Sequence, residues 1–196
     1  MTGGLGAGKT TVSQLFVRLR VPVIDTDEIS RELTVCGGAA LPAIRACFGE
    51  TVFNADGSLD RAALRALILA DGGARHRLEE ILHPLIRAQV ERRLGMTHAP
   101  YALVVVPLLV ETGAYDAMLD RVLVVDCDEA TQVKRALARG GWSEEQIRGM
   151  MSNQVGRAER LKRADDIINT DCELSELSER VAALDQKYRQ LAAQML

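Results

Sequence analysis

Residues 2–11 read Thr2-Gly3-Gly4-Leu5-Gly6-Ala7-Gly8-Lys9-Thr10-Thr11, and this stretch decides the fold of the chain. It contains the pattern G-x-x-x-x-G-K-T, which is typical of loops (P-loops) that bind phosphate groups. The glycines let backbone N–H groups converge on an anion, Lys9 supplies a mobile positive charge, and the Thr10 hydroxyl can bind Mg²⁺. A helix predicted from Lys9 to Leu19 would direct its positive dipole end at the same phosphates. The alternative is a glycine-rich N-terminal tail without a ligand.

The strand that should precede such a loop is missing from the sequence. A P-loop follows a buried hydrophobic strand, yet only Met1 precedes Thr2. We therefore expect the first strand of the sheet to be absent, which would leave unpaired backbone groups in neighbours near residues 101–106 and 121–125. Either the start was assigned a few residues too late or the strand is truly lacking. The first explanation is favoured, because a missing central strand is costly.

Composition places the chain among ordinary globular proteins. Its 196 residues are 47% hydrophobic and 26% charged, which suits one domain that carries an insertion. A net charge of −3 argues against a surface that coats nucleic acid. No apolar run reaches the length of a membrane span, and no signal peptide precedes the loop. The four cysteines form no C-x-x-C pair. We expect a cytoplasmic protein with reduced thiols, no nucleic-acid or membrane partner, and a monomer or weak homo-oligomer.

Hydrophobic runs after the loop predict the strands of a parallel sheet. They are short, apolar and suited to strands covered on both faces, at residues 21–24, 101–109, 121–126 and 166–169. Between residues 28 and 98 the pattern changes to short helical segments broken by glycine-containing turns, which indicates a helical insertion. We predict an α/β fold in which a P-loop NTPase-type parallel sheet is flanked by helices. The predicted parts are a core of residues 1–27 and 99–196, an insertion of residues 28–98, and a lid at about 136–163 within the core.

Local signals predict the ends of several helices. Asp60 can cap a helix of residues 61–70, and His83-Pro84 is expected to open another helix that runs to about residue 94. Ser143 begins a capping-box-like start to a helix that extends towards Ala164. From Glu173 onward, apolar residues recur at three- and four-residue spacing, which indicates a helix with one buried face.

Acidic residues at strand ends are the candidates for chemistry. The chain has no Asn-Lys-x-Asp or Asp-x-x-Gly motif of GTPases, and its strongest buried strand ends in Pro107 rather than in a metal-binding acid. Attention therefore moves to Asp25 and Asp27, one of which could accept a proton from an attacking hydroxyl and help to order Mg²⁺. Alternatively, these residues cap the next helix. Asp126 also ends a strand, but we interpret it as part of a turn that leads to a helix N-cap.

Basic residues near the predicted lid are candidates for phosphate contacts. A closing lid that brings arginine to the transferring phosphoryl group would stabilise the charge spread over its oxygens. The candidates are Arg135, Arg139, Arg157 and Arg160, of which one or two would instead lie on a solvated helix face. In the insertion, His83 either contacts a ligand or lies in the core.

The chain resembles the bacterial dephospho-coenzyme A kinase family over nearly its whole length. The resemblance lies in the P-loop stretch, in Ile24-Asp25-Thr26-Asp27, in Leu82-His83-Pro84, in Val105-Val106-Pro107-Leu108-Leu109-Val110-Glu111, and in Gln154 to Arg160 leading into Ala164-Asp165-Asp166-Ile167-Ile168. Thr26 departs from the family, which usually has Ala between the two acids. The combination is specific, since the Pro-Leu-Leu and His-Pro elements are not features of nucleotide or shikimate kinases.

The resemblance implies transfer of the ATP γ-phosphoryl group to the ribose 3′-hydroxyl of dephospho-coenzyme A, with Mg²⁺ bound to ATP. It implies a P-loop core, a helical insertion that receives the coenzyme A precursor, and a lid. The family's aspartate base corresponds to Asp27, with Asp25 as its neighbour. The catalytic assignments are Asp27, Lys9 and Arg135, and those for metal are Thr10 and Asp27. ATP is assigned to Gly4, Leu5, Gly6, Ala7, Gly8, Lys9, Thr10, Thr11, Arg139 and Asn169. The substrate is assigned to Asp25, Asp27, His83, Arg87, Leu108 and Arg160.

Two other functions stay open at this point. In another small-molecule P-loop kinase, the insertion would hold a nucleoside monophosphate. In a nucleotide-sensing regulator, ATP would bind without transfer of phosphate.

Overall fold

The structure is a computed structural model that describes residues 1–195, and it has the predicted α/β fold. One sheet has the strand order β1-β4-β5 with parallel pairs, and a second contains β2 and β3. The strands are β1 Thr2–Gly3, β2 Val23–Asp25, β3 Leu103–Val105, β4 Leu123–Asp126 and β5 Asp166–Asn169. The helices of the first half are α1 Lys9–Arg18, α2 Thr26–Leu33, α3 Leu41–Phe48, α4 Arg61–Ala70 and α5 Ala74–Gly95. Those of the second half are α6 Leu109–Thr112, α7 Glu129–Ala138, α8 Glu144–Ser152, α9 Arg157–Lys162 and α10 Leu174–Gln194.

The first strand is present in short form, which corrects the expectation that it is missing. The Met1 nitrogen donates to the Val104 carbonyl oxygen (2.6 Å), and the Met1 carbonyl accepts from the Val106 N–H (2.9 Å). On its other side, β1 pairs in parallel with Val124 and Val125 of β4. The expected neighbours of the strand are therefore confirmed. Main-chain hydrogen bonds need no apolar side chain, so a stretch as polar as Thr2–Gly3 fills a central position.

The chain divides into two compact units. The first comprises Met1–Ile24 and the residues from Thr97 onward, and the second is Asp25–Met96. Asp25 and Asp27 thus belong to the second unit, whereas the sequence placed them at the end of the core. Within the second unit, Asp60 caps α4 as predicted, because its Oδ1 accepts from the N–H groups of Ala62 and Ala63 (both 2.9 Å).

Two helix predictions are wrong in their bounds. His83-Pro84 does not open a helix, because α5 runs continuously through Pro84. Pro84 cannot donate a main-chain hydrogen bond, and the burial of Ile86 and Val90 compensates for this loss. The predicted helix from Ser143 towards Ala164 is divided into α8 and α9 by residues 153–156. Its predicted start is confirmed, since Ser143 and Gln146 form a capping box.

The core of the first unit lies between the sheet, α1 and α10. Its fully buried members include Val12 and Phe16 of α1, Val125 of β4, Ile168 of β5 and Val181 of α10. The apolar spacing that predicted α10 therefore marks its buried face. In the described residues, no helix is long and apolar enough to cross a membrane.

A buried carboxylate joins β5 to α10. The Asp166 side chain, 8% exposed, accepts hydrogen bonds from Lys187, from Arg121 (3.1 Å) and from the Tyr188 hydroxyl (3.2 Å). Burial by itself raises the pKa of Asp166, but the hydrogen bonds from Lys187 and Arg121 outweigh it, so the pKa lies below its ordinary value. The ionised carboxylate therefore stabilises the fold.

Replacing Asp166 with Asn should lower the free energy of unfolding by about 1–3 kcal/mol at pH 7, because two cations lose their buried partner. A carboxyl whose pKa is depressed by folding stabilises the fold above its unfolded pKa, and this contribution disappears as the pH falls through the folded pKa. The difference from the unaltered protein should thus be constant from pH 7 to about 5 and shrink below about 4. Urea unfolding across this range measures it, with the exposed Asp120→Asn as a control. A difference that persists unchanged at the lowest pH would contradict this account.

Candidate active site

Close packing leaves no room for side chains at key positions of the P-loop. A Cβ on Gly3 would lie 2.4 Å from the Val125 carbonyl oxygen, and one on Gly6 would lie 2.4 Å from the Gln132 carbonyl oxygen. Gly6 and Gly8 also have positive φ angles of 74° and 95°, which favour glycine. The glycines of the motif are therefore required by contact as well as by backbone conformation.

The loop ends in the first turn of α1, where Gly8 is the N-cap. No side chain caps this helix end and no acidic residue lies in its first turn, so its N–H groups and positive dipole end face a potential anion. The Lys9 ammonium group donates to the carbonyl oxygens of Gly3 (2.7 Å) and Gly4 (3.0 Å). Helix α1 and Lys9 together supply the N–H donors and the positive charge that can bind a phosphate group.

A magnesium ion that accompanies ATP would require few ligands from the protein. Among residues 1–195, no group of three or more His, Cys, Asp or Glu side chains is arranged to hold a metal. Mg²⁺ in phosphate sites is bound mainly by phosphate oxygens and water, with one or two protein oxygens. The Thr10 hydroxyl lies on the exposed first turn of α1, so its chemistry and position fit such a ligand.

The end of β5 holds the other side of the loop. The buried Thr170 hydroxyl donates to the Ala7 carbonyl oxygen (2.8 Å). Arg135 of α7 donates to the Thr170 hydroxyl and carbonyl oxygens (2.7 Å each). Arg135 thus reaches the P-loop through Thr170, and in this structure its guanidinium contacts neutral oxygens.

A pocket of about 310 Å³ opens beside this contact. Gly8 and Thr11 line it from the loop and α1, Arg135 and Arg139 from α7 and its end, and Leu174 and Leu177 of α10 add apolar surface. Its volume is at the lower end of the range for small-molecule sites. Arg139 is exposed at the C-terminal end of α7 and lines the same pocket as Gly8 and Thr11 of the P-loop region.

The lid arginines predicted from the sequence have different environments. Arg157 donates to both carboxylate oxygens of Asp126 (2.8 and 2.7 Å), and these hydrogen bonds raise its pKa above the ordinary value. Asp126 is therefore neither a metal-binding acid nor a turn residue alone, but the buried partner of Arg157. Arg160 is also buried, and its Nη2 donates to the Val155 carbonyl oxygen (2.6 Å).

Two other predicted positions lie in the first unit. Asn169 is not one of the residues that line the pocket; its Oδ1 accepts from the Asp171 N–H (2.8 Å) and its carbonyl oxygen accepts from Arg180 (2.9 Å). Leu108 precedes α6, and its carbonyl oxygen accepts from the Thr112 hydroxyl (3.0 Å). Direct roles for these residues in ligand binding stay predictions.

The other four predicted substrate residues, Asp25, Asp27, His83 and Arg87, lie in the second unit. Asp25 caps α2, because its Oδ1 accepts from the N–H groups of Asp27 (2.8 Å) and Glu28 (3.4 Å), so the capping interpretation holds for this residue. Asp27 is exposed in the first turn of α2. His83 is exposed on α5, which excludes the core position considered for it. Arg87, also exposed on α5, contacts Glu91 (3.3 Å).

Sequence reasoning missed three polar side chains that contact the loop. The Gln132 carboxamide packs against Gly4, Gln154 accepts from the Leu5 N–H (3.1 Å), and the Thr170 hydroxyl donates to the Ala7 carbonyl oxygen. Thr170 directly follows a strand predicted in the sheet, so its place at the carboxyl edge was a usable signal. The two glutamines carry no such signal, since each lies on or after a helix that could face in any direction.

The sheet, the loop and its surrounding polar groups define a P-loop NTPase-type protein, a class that binds nucleotide phosphates. The sequence profile of the dephospho-CoA kinase family matches residues 1–176. The dephospho-CoA kinase of Nitrosospira multiformis is 50% identical over 192 residues, which cover 98% of this chain and 96% of that protein. That of Thiobacillus denitrificans is 50% identical over 196 residues, covering 100% and 97%. The chain therefore belongs to the dephospho-CoA kinase family.

Two solved structures share the fold of this chain. A crystal structure of a Thermus thermophilus protein aligns with a TM-score of 0.82 and 29% identity, covering 95% of this chain and 94% of that one. A dephospho-CoA kinase from Campylobacter jejuni aligns with a TM-score of 0.71, covering 96% and 95%. At 24% identity, this second likeness bears on the fold alone.

Replacing Gly3 with Ala should lower the melting temperature by about 3–10 °C, because the added methyl group meets backbone of β4 that has no room to move. Gly95→Ala is the matched control, since a Cβ there meets nothing within 4 Å. Thermal unfolding followed by circular dichroism measures both variants. An unchanged melting temperature for Gly3→Ala would mean that β1 and β4 are not held as closely as described.

Proposed function

We propose that this protein transfers the γ-phosphoryl group of ATP to the ribose 3′-hydroxyl of dephospho-coenzyme A, giving coenzyme A and ADP. Its place in the dephospho-CoA kinase family supports this function for the whole chain. The single structural observation that carries it is the P-loop, in which the uncapped start of α1 and the Lys9 ammonium converge. Such a loop stabilises charge on transferring phosphates by position and electrostatics.

The first unit would bind ATP. The N–H groups at the start of α1 would receive the α- and β-phosphates, and Lys9 would exchange its carbonyl partners for the β- and γ-phosphates. The pocket beside Gly8 and Thr11 would take the rest of the nucleotide, with Arg139 at its edge. Magnesium bound to ATP would draw charge from the phosphate oxygens, and Thr10 is the residue of this unit that would hold it.

The second unit would bind dephospho-coenzyme A. Helices α2 and α5 carry the exposed Asp27, His83 and Arg87. Asp27 would act as general base on the 3′-hydroxyl, and Asp25, which caps α2, would keep the first turn of that helix in place. Arg87 would contribute positive charge for the phosphates of the substrate, and Arg160, which lies in the first unit, is the further arginine assigned to them. We also propose that residues 136–163 act as a lid.

We further infer that the enzyme acts in the cytoplasm as a monomer or weak homo-oligomer, without nucleic-acid or membrane partners. Four free cysteines, Cys36, Cys47, Cys127 and Cys172, suit a reducing compartment. The net charge of −3 gives no excess of positive charge for a nucleic-acid backbone.

A coupled assay of ADP release tests the function. ATP and Mg²⁺ are supplied with dephospho-coenzyme A, with a panel of nucleoside monophosphates, or with no acceptor. The proposal requires that dephospho-coenzyme A is the only acceptor of the panel that supports turnover. It also requires that Lys9→Ala, which lacks the charge-assisted contact to the phosphates, loses turnover. Turnover with a monophosphate would identify a different kinase. ATP binding without turnover on any acceptor would indicate a regulator.

Asp27→Asn should retain ATP binding but lose about 10²–10⁴-fold in kcat, because an amide cannot take the proton of the attacking hydroxyl. Asp25→Asn is the matched control. Asparagine caps helices about as well as aspartate, so α2 should keep its start and kcat should fall far less. Steady-state kinetics of both variants with dephospho-coenzyme A compare them. If Asp25→Asn were the more damaging with normal metal dependence, the roles of the two acids would be reversed.

A further inference from the structure

The connection between α8 and α9 reaches the P-loop through one side chain. We call residues 153–156 the α8–α9 turn. The Gln154 carboxamide oxygen in this turn accepts a hydrogen bond from the Leu5 N–H (3.1 Å). An N–H group of the P-loop thus donates to a protein side chain, although the N–H groups of such loops ordinarily donate to phosphate oxygens.

Gln154 is held in place by the residue that follows it. The Val155 N–H donates to Glu111 Oε1 (2.9 Å), and the Val155 carbonyl oxygen accepts from Arg160 Nη2 (2.6 Å). Both polar groups of this peptide backbone are therefore fixed, one by the helix after β3 and the other by α9. A side chain on so constrained a backbone loses little further entropy when it contacts Leu5.

The Leu5 side chain is anchored to the same part of the molecule. It packs against a cluster formed by Val133 and Ala136 of α7 and by Ile147, Met150 and Met151 of α8. Ile147 is fully buried at the centre of this cluster. Leu5 is thus fixed by its side chain and its N–H group, and both attachments lead to the segment proposed as the lid.

Leu5 lies in the part of the loop that would border the terminal phosphate of a bound nucleotide. The lysine of a P-loop reaches the β- and γ-phosphates. In this structure the Lys9 ammonium donates hydrogen bonds to the carbonyl oxygens of Gly3 and Gly4. The backbone of residues 3–5 therefore lines the space into which a γ-phosphate would extend. The start of α1, which meets the inner phosphates, is separated from Leu5 by Gly6, Ala7 and Gly8.

We propose that Gln154 is a positioning residue that holds the Gly3–Leu5 part of the P-loop in the conformation that receives the γ-phosphate. It acts through the Leu5 N–H and makes no contact with the reacting groups. The inference rests on the proposed function only in that ATP is the nucleotide. Gln154 should therefore strengthen the binding of a nucleotide that has a γ-phosphate and leave the binding of one that lacks it unchanged.

Gln154→Met tests the inference, because methionine has the length of glutamine but no carbonyl oxygen. Isothermal titration would compare the β,γ-imido analogue of ATP with ADP, each with Mg²⁺. Loss of one hydrogen bond of the usual strength should weaken binding of the analogue about three- to tenfold and that of ADP by less than about twofold. The KM for ATP should rise by the same factor as the analogue Kd, with the KM for dephospho-coenzyme A unchanged.

Asn153→Ala is the control in the same turn, since the exposed Asn153 side chain bonds locally to the Gly149 carbonyl oxygen (3.0 Å). Both nucleotides should bind this variant as they bind the unaltered chain. If Gln154→Met weakened the binding of both nucleotides equally, or changed the binding of neither, the proposal would be overturned. Tighter binding of the analogue would overturn it too, because Gln154 would then compete with phosphate for Leu5. If the unaltered chain fails to phosphorylate dephospho-coenzyme A, the proposed function fails, yet the two dissociation constants still decide the role of Gln154.

Discussion

The contact between Gly3 and the backbone of β4 is the constraint on which the rest of the first unit depends. The P-loop begins where β1 ends, so the position of the loop is set by how deeply β1 lies in the sheet. Main-chain hydrogen bonds hold β1 on both sides, and the absence of a side chain at Gly3 lets the Val125 carbonyl oxygen approach closely. A short strand suffices because its partners are longer, buried and already fixed by α1 and α10.

Beyond β1, the loop is shaped by polar side chains that contact its backbone. Gln132, Gln154 and Thr170 come from α7, the α8–α9 turn and the end of β5. Gln154 and Thr170 satisfy the Leu5 N–H and the Ala7 carbonyl oxygen, and Gln132 packs against Gly4. No fully buried polar side-chain atom of residues 1–195 lacks a hydrogen-bond partner. This arrangement fixes the loop before any nucleotide arrives, which reduces the reorganisation that phosphate binding requires.

How well each feature could be predicted from the sequence depends on the range of the interaction behind it. Helices α4 and α10 follow from a capping aspartate and from apolar spacing, both of which act within a few residues. Helix α5 was misjudged because Pro84 is a strong local signal that tertiary burial of Ile86 and Val90 overrides. The P-loop motif could be recognised from its own residues, but the glutamines that hold it are distant in sequence. The turn from Asp126 to the N-cap Asp128 followed from local signals, but the ion-pair partner of Asp126 did not, since Arg157 is 31 residues away.

The surroundings of the arginines indicate which of them can serve phosphate. Arg157 is bound through two hydrogen bonds to the buried carboxylate of Asp126, and moving it would leave that charge without its partner. Arg135 and Arg160 donate instead to hydroxyl and carbonyl oxygens, which are weaker acceptors than a phosphate. Exchange of a neutral acceptor for a charged one is favourable, whereas leaving the buried Asp126 carboxylate without its partner is not. Arg157 therefore joins α9 to β4, whereas Lys9, Arg135 and Arg160 donate to neutral oxygens that a phosphate group can replace.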